Sequence, residues 1–358
     1  MMGLFRSKKK KSKEISLIGS PLVDLSAQVV VENDCSYLYV YPNNPSVANT
    51  VRCCWIKNHV TVADNYSPEA DMKKGLQPKV PTNHCAFPND LSFLDIETLE
   101  LVWGKEGYTA FLFENNTLIC AIPYWADQNF SGYSKFSCNE EFSGIPLTLG
   151  NEENEMFKKS KEAKAFWKQD FSLLWQDYQD SYLNELEEKY GKHINYYAID
   201  GGHFPPKALV VFKKDNMKYV LTMGVGLFPQ PKVDMHFDIP QDYAFFELGF
   251  CYSSHLTFDE STVFSQISSI TSIPWVYNTF LAHRHTVDIQ VDAAHLHGVL
   301  ISDKSAQVAE FQKLTEDNIN LLWIVPITEI SYKRLTDDPS DYSEVETRID
   351  NSDVIFKG

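Results

Sequence analysis

The feature that most limits what this chain can fold into is an aromatic and apolar run between residues 151 and 191. Phe166, Trp167, Phe171, Leu174, Trp175, Tyr178, Tyr182, Leu183 and Leu186 recur at three- and four-residue steps. That is the period of an amphipathic helix, not of a strand. Glu152, Glu153 and Glu155 precede the run and Lys189 lies near its end, an order that suits the helix dipole. Gly191 is a natural stop. The spacing predicts one connecting helix over 151–191. Its aromatic stripe reads as core or domain-interface packing.

The segments on either side are strand-rich. In residues 15–150, Val29 to Val31, Tyr37 to Tyr41, Val51 to Ile56 and Thr109 to Phe113 are β-branched or aromatic runs. Leu118 to Tyr124 follows an Asn115-Asn116 turn, which predicts a hairpin. Asp90 is expected to cap a short helix over Leu91 to Leu101. In residues 192–335, strands are predicted at Ala208 to Phe212, Tyr219 to Gly224, Phe245 to Tyr252, Gly298 to Ile301 and Leu321 to Ile327. A helical pattern runs from Ser261 to Phe280 with an interruption at Pro274, and a shorter one from Val308 to Leu314. Strands and helices without regular βαβ alternation predict the α+β class. The expected layout is two mixed α/β domains, 15–150 and 192–335, joined by the helix. A basic tail (1–14) and an acidic tail (336–358) flank them.

Charge narrows the function. Lys and Arg number 32 against 48 Asp and Glu, a net charge of −16. A general nucleic-acid binder needs a basic surface, whereas an acidic one attracts a basic partner. No stretch approaches the roughly 20 apolar residues of a membrane-spanning helix, so integral membrane association is not expected. Lys8, Lys9, Lys10, Lys11 and Lys13 form the basic tail, read as solubilising, with weak contact to anionic lipid as the other reading. The seven cysteines are odd in number and contain no C-x-x-C. That disfavours a disulfide framework or zinc ribbon, and with no secretory signal the expected location is the cytoplasm.

The chemistry-bearing motifs are mostly missing. There is no phosphate-binding G-x-x-x-x-G-K-[ST] and no G-x-G-x-x-G; Gly224-Val225-Gly226 is a fragment, with Pro229 where a helix should continue. There is no G-x-S-x-G elbow. No cofactor is expected. The alternative is metal chemistry. His283-x-His285 and His295-x-His297 would each place two side chains on one face of a strand. Asp288 and Asp292 lie between them and would complete a ligand shell. This set would support a metal-dependent hydrolase; otherwise the histidines are structural or touch a partner.

From about residue 190 to 335 the order of features resembles the Suppressor-of-fused-like domain family. The pieces are YVLTMG at Tyr219 to Gly224, LFP at Leu227 to Pro229 and FFELG at Phe245 to Gly249. IPW at Ile273 to Trp275, HRHT at His283 to Thr286 and LLWIVPI at Leu321 to Ile327, then Glu329, complete the series. The family's glycine before His-Thr is Arg284 here. The resemblance implies an interaction protein without catalysis of its own. Eukaryotic relatives restrain a transcription factor, and bacterial relatives, which this chain resembles more, include immunity proteins that neutralise toxins. The implied partner is a basic, toxin-like protein. The expected contacts are Trp275, Tyr277, His283 and His285, with Asp234 and Glu247 supplying charge.

Overall fold

A computed structural model describes residues 13–14, 17–44, 51–127, 130–302, 319–338, 342 and 355–356. The predicted helix over 308–314 and most of both charged tails lie outside these residues. The chain is mixed α and β, consistent with the α+β class, and divides into two compact units, Met1–Lys168 and Gln169–Gly358.

The first unit holds two five-stranded sheets. One is built from β1 (Lys13–Glu14), β2 (Ile18–Gly19), β3 (Leu25–Val31), β4 (Cys35–Pro42) and β5 (Arg52–Asn58), all antiparallel. A single helical turn, α1 (Glu69–Met72), follows. The second sheet runs β10-β9-β8-β7-β6, from β6 (Leu99–Trp103), β7 (Ala110–Glu114), β8 (Thr117–Ile122), β9 (Tyr133–Ser134) and β10 (Leu147–Thr148). Leu25, Ala27, Val29, Val40 and Ile56 of the first sheet share a core with Trp103, Leu112, Ile119 and Ile122 of the second. Asn115 and Asn116 both adopt positive φ, 48° and 63°. Two such residues in succession match the twist of a tight hairpin, as the sequence predicts.

The helix expected at Leu91 to Leu101 does not form. Leu99 to Trp103 instead pairs with β7 as β6, and only a 3-10 turn at Ile96–Thr98 precedes it. Asp90 caps nothing helical. Its Oδ1 accepts from the Ser92 N–H and hydroxyl, and its Oδ2 pairs with Lys57 at 2.9 Å.

The 151–191 helix is two helices, α2 (Glu155–Trp167) and α3 (Phe171–Tyr190). The unit boundary falls between them. The Asp170 carboxylate accepts from Ser172 N and Leu173 N and starts α3 afresh. Met156 and Ala163 of α2 pack on Val102, Phe111, Phe113 and Leu118. Gly191 ends α3 at φ 85°, a conformation that glycine adopts without cost.

The second unit is one eight-stranded sheet. Its strands are β11 (His193–Ala198), β12 (Ala208–Lys214), β13 (Met217–Met223), β14 (Phe245–Ser253), β15 (Thr286–Asp288), β16 (His295–Ser302), β17 (Ile319–Thr328) and β18 (Ile355–Phe356). They run β11-β12-β13-β14-β17-β16-β15, with β18 beside β14. The β14–β17 and β14–β18 pairings are parallel and the rest antiparallel. Helix α5 (Glu260–Ile270) buries Val263, Ile267 and Ile270 against Leu209, Val211, Val220 and Leu248. Helix α3 packs Tyr190 on Tyr219 and Phe212, at 4.4 and 5.8 Å between ring centroids. Short helices α4 (Val233–His236) and α6 (Ile273–Tyr277) follow β13 and α5, and α7 (Glu329–Asp337) follows β17. Pro274 opens α6 rather than interrupting a longer helix. Beyond Tyr277 the backbone turns left-handed at Asn278 (φ 48°).

Candidate partner-binding surface

Five of the six residues expected to touch a partner come from two short segments, 231–243 and 273–285. Gln230 ties these segments together from inside. It is 4% exposed. Its Nε2 donates to Tyr243 O (3.0 Å) and Leu281 O (3.1 Å), and its Oε1 accepts from Leu281 N (2.7 Å). Phe280 connects them at the surface. Its ring lies 4.8 Å from His236, 5.4 Å from Phe237 and 5.1 Å from His285, between centroids. Phe237 in turn stacks on Tyr243 at 3.9 Å.

On this frame Met235, Ile239, Val276 and Tyr277 stand exposed, Tyr277 at 68%. Asp234, Asp238 and Asp242 are exposed beside them in the first segment. Apolar side chains with a polar fringe are the usual make-up of a recognition surface. Trp275 differs from Tyr277. It is half-buried, packs against the core and stacks on Phe246 at 6.3 Å, so its ring belongs in part to the fold.

Glu247 is not on this surface. Its side chain is 0% exposed, which excludes the direct contact expected from the sequence. Instead it is a buried hub. Oε1 accepts from the Tyr178 hydroxyl (2.6 Å), Gly224 N (2.8 Å) and Gly226 N (3.0 Å), and Oε2 accepts from the Thr222 hydroxyl (2.6 Å). The G-x-G fragment therefore cradles a carboxylate from its own chain. A Cβ at Gly224 (φ 100°) would meet Pro206 O at 2.5 Å, so only glycine fits there. Burial raises the Glu247 pKa against the pull of these four donors. The Tyr178 and Tyr182 hydroxyls are pushed well up by the same burial and by the neighbouring carboxylate.

The four histidines of the metal reading do not converge. His283 and His285 lie in a turn, not on a strand. His283 is exposed and its Nδ1 accepts from Ser302 N at 3.2 Å. Burial lowers the His285 pKa, and His236 adds to this. His295 and His297 are on β16, but the ladder is irregular between them. His295 Nδ1 pairs with Asp292 at 3.0 Å. His297 lies between Asp288 (Nδ1, 2.9 Å) and Glu329 (Nε2, 2.9 Å) and stacks on Tyr332 at 3.8 Å. Among the described residues no three His, Cys, Asp or Glu side chains are arranged to hold a metal ion. Only His295 and His297 meet carboxylates, pairing separately with Asp292, Asp288 and Glu329 and so linking β16 to its neighbouring turn, β15 and α7.

The sequence missed Gln230 and the surface residues Met235, Ile239 and Val276. A signal for Gln230 was present: a polar side chain between Pro229 and Pro231 in an apolar stretch. Among the described residues no helix is long and apolar enough to cross a membrane. Comparison with known proteins finds no matching family model and no matching curated protein.

Proposed function

We propose that this chain is a non-catalytic protein-binding protein of the Suppressor-of-fused-like type. In this reading it is an immunity or inhibitor protein that sequesters a basic, toxin-like protein in the cytoplasm. The observation that carries the reading is the exposed apolar group Met235, Ile239, Val276 and Tyr277 beside Asp234, Asp238 and Asp242. An aromatic anchor supplies contact area that loses water on binding, and the acidic fringe speeds encounter with a positive partner. The rigid attachment through Gln230 and Phe280 supports it, because a preorganised surface loses little conformational freedom on binding.

Two further points favour the family assignment. Arg284, where the family carries glycine, has a left-handed backbone (φ 71°), the conformation in which glycine is favoured. The apolar LLWIVPI run is a strand paired on both sides. The test is partner capture by the full-length chain beside its Tyr277→Asp variant. An exposed ring can be replaced without unfolding, so binding should fall while the thermal midpoint holds. Undiminished capture by the variant would place the interface elsewhere.

A further inference from the structure

We infer that the basic start of this chain, residues 1–12, docks on an apolar and acidic patch of the first unit formed by residues 86–97. Residues 86–93 are exposed one after another, and they include Phe87, Leu91 and Phe93, the last at 58%. Exposed apolar side chains grouped in this way mark a surface that takes a partner. The loop that carries them is nonetheless held firmly. Ala86 N donates to Phe136 O at 2.9 Å. The buried Lys57 reaches Asp90 (2.9 Å) and the Ser92 hydroxyl (3.1 Å). The buried His59 donates from Nδ1 to Ser92 O at 3.0 Å and stacks with the Phe93 ring, 4.5 Å between centroids. A loop fixed by a buried lysine and a buried histidine presents its aromatic side chains already in place, which lowers the cost of binding.

The start of β1 lies at the same end of the sheet as this loop. β1 runs antiparallel to β3 with Lys13 opposite Val31, so the N-terminal end of β1 points past the end of β3. The β3–β4 turn lies there. So does the end of β5, because Cys35 is opposite Asn58 and His59 N donates to Asp34 O at 2.8 Å. From β1 to β5 is three strand spacings, about 14 Å. Phe5 stands eight residues before Lys13, a reach of up to about 27 Å. Leu4 and Phe5 can therefore meet Phe87, Leu91 and Phe93 while Lys8 to Lys11 cross the β3–β4 turn.

Charge selects this segment as the occupant. Residues 1–12 carry Arg6 and Lys8 to Lys11 and no acid. The patch is the reverse. Residues 80–104 contain Asp90, Asp95, Glu97 and Glu100 and no Lys or Arg, and the β3–β4 turn adds Glu32 and Asp34. Lys57 and Lys164 meet the charges of Asp90 and Glu100, which leaves Glu32, Asp95 and Glu97 to attract the lysines. Held on the same chain, the segment acts at an effective concentration of about millimolar, ahead of a free protein of the same chemistry. This contact lies within the first unit and is independent of the partner surface on the second.

The test is the rate at which trypsin cuts the full-length chain between Lys8 and Lys11, at low and high salt, beside Phe93→Asp and Phe5→Asp. Each rate is compared with that of a free synthetic peptide of the same residues 1–12. Docked lysines are shielded, so the wild-type chain should be cut more slowly than its peptide at low salt and faster at high salt, where the attraction is screened. Either substitution should speed the cut about tenfold, the effect expected from losing one ring's burial. The double variant should be cut no faster than either single one, because the two rings share one contact. If Phe93→Asp disturbs the fold, as circular dichroism would show, Phe5→Asp, which lies in no described element, still decides. A wild-type chain cut as fast as its peptide, or rates indifferent to Phe5 and Phe93, would overturn the inference. So would additive effects of the two substitutions, or protection that needs added phosphatidylserine vesicles.

Discussion

Replacing Glu247 separates the two things this residue does, which are to accept four hydrogen bonds and to place a titratable carboxyl inside the second unit. In Glu247→Ala the Tyr178 hydroxyl and the Gly224 and Gly226 N–H groups lose their acceptor. Thr222 does not, because Leu248 O lies 3.4 Å from its hydroxyl. A buried donor left unsatisfied costs about 1–3 kcal/mol. Three such losses are partly offset by removing a carboxylate whose raised pKa shows that burial opposes its charge. The expected net loss is about 3–5 kcal/mol, the range seen when one partner of a buried charged group is removed. For a unit of this size each kcal/mol moves the midpoint about 2–4 °C, so the shift is roughly 6–20 °C. Glu247→Gln keeps the Oε1 acceptor for all three donors. Its amide can donate to the Thr222 hydroxyl, which turns to Leu248 O, so the expected loss is under about 1 kcal/mol. The two variants also differ from wild type in pH dependence. The folded state holds the Glu247 proton to a higher pH than the unfolded chain, whose value is near 4.5. Stability from this residue is thus full at low pH and declines as pH rises from 4.5 through the raised folded value; either substitution removes that slope. Urea unfolding monitored across pH reads both effects. A Gln variant as unstable as the Ala variant would refute the reasoning, since the charge and not the acceptor would then matter.

Other predictions follow from the same geometry. Gln230→Ala leaves Leu281 N without its buried acceptor and should cost about 1–3 kcal/mol, read by chemical denaturation, with partner binding weakened as the two segments loosen. Trp275→Ala should lower both stability and binding, because its ring packs on Phe246, whereas Tyr277→Ala should lower binding alone; thermal melts beside a binding titration distinguish them. Hydrogen bonds from Ser92 and the ion pair with Lys57 pull the Asp90 pKa down to about 2. Its contribution is present above the unfolded value of 3.8 and lost as pH falls toward 2. Acid unfolding of the first unit should therefore be less steep in Asp90→Asn.

Most strands were legible in the sequence, because β-branched and aromatic runs and the Asn115-Asn116 turn carry their own local signals. The errors come where distant partners decide. Leu99 to Trp103 has apolar spacing that suits a helix, but β7 claims it as a strand. The rhythm of aromatic residues continues across Lys168 to Asp170, which hid the break between α2 and α3, although Asp170 was a visible cap. For Glu247, an acid inside an apolar strand marked something unusual. Its role depends on Tyr178, 69 residues away, and on the backbone of Gly224 and Gly226, which no local pattern reveals. The surface was half legible: Tyr277 and Asp234 lie on it, but Met235, Ile239 and Val276 are ordinary apolar residues until the fold leaves them uncovered.

The most direct test of the binding reading is affinity capture of the tagged full-length chain from its native cell, at low and high salt, beside Tyr277→Asp. The account predicts one basic protein in near-stoichiometric amount, weakened by salt because its encounter is electrostatically steered and lost with Tyr277→Asp. No basic partner at either salt, or a partner indifferent to both salt and Tyr277, would contradict it.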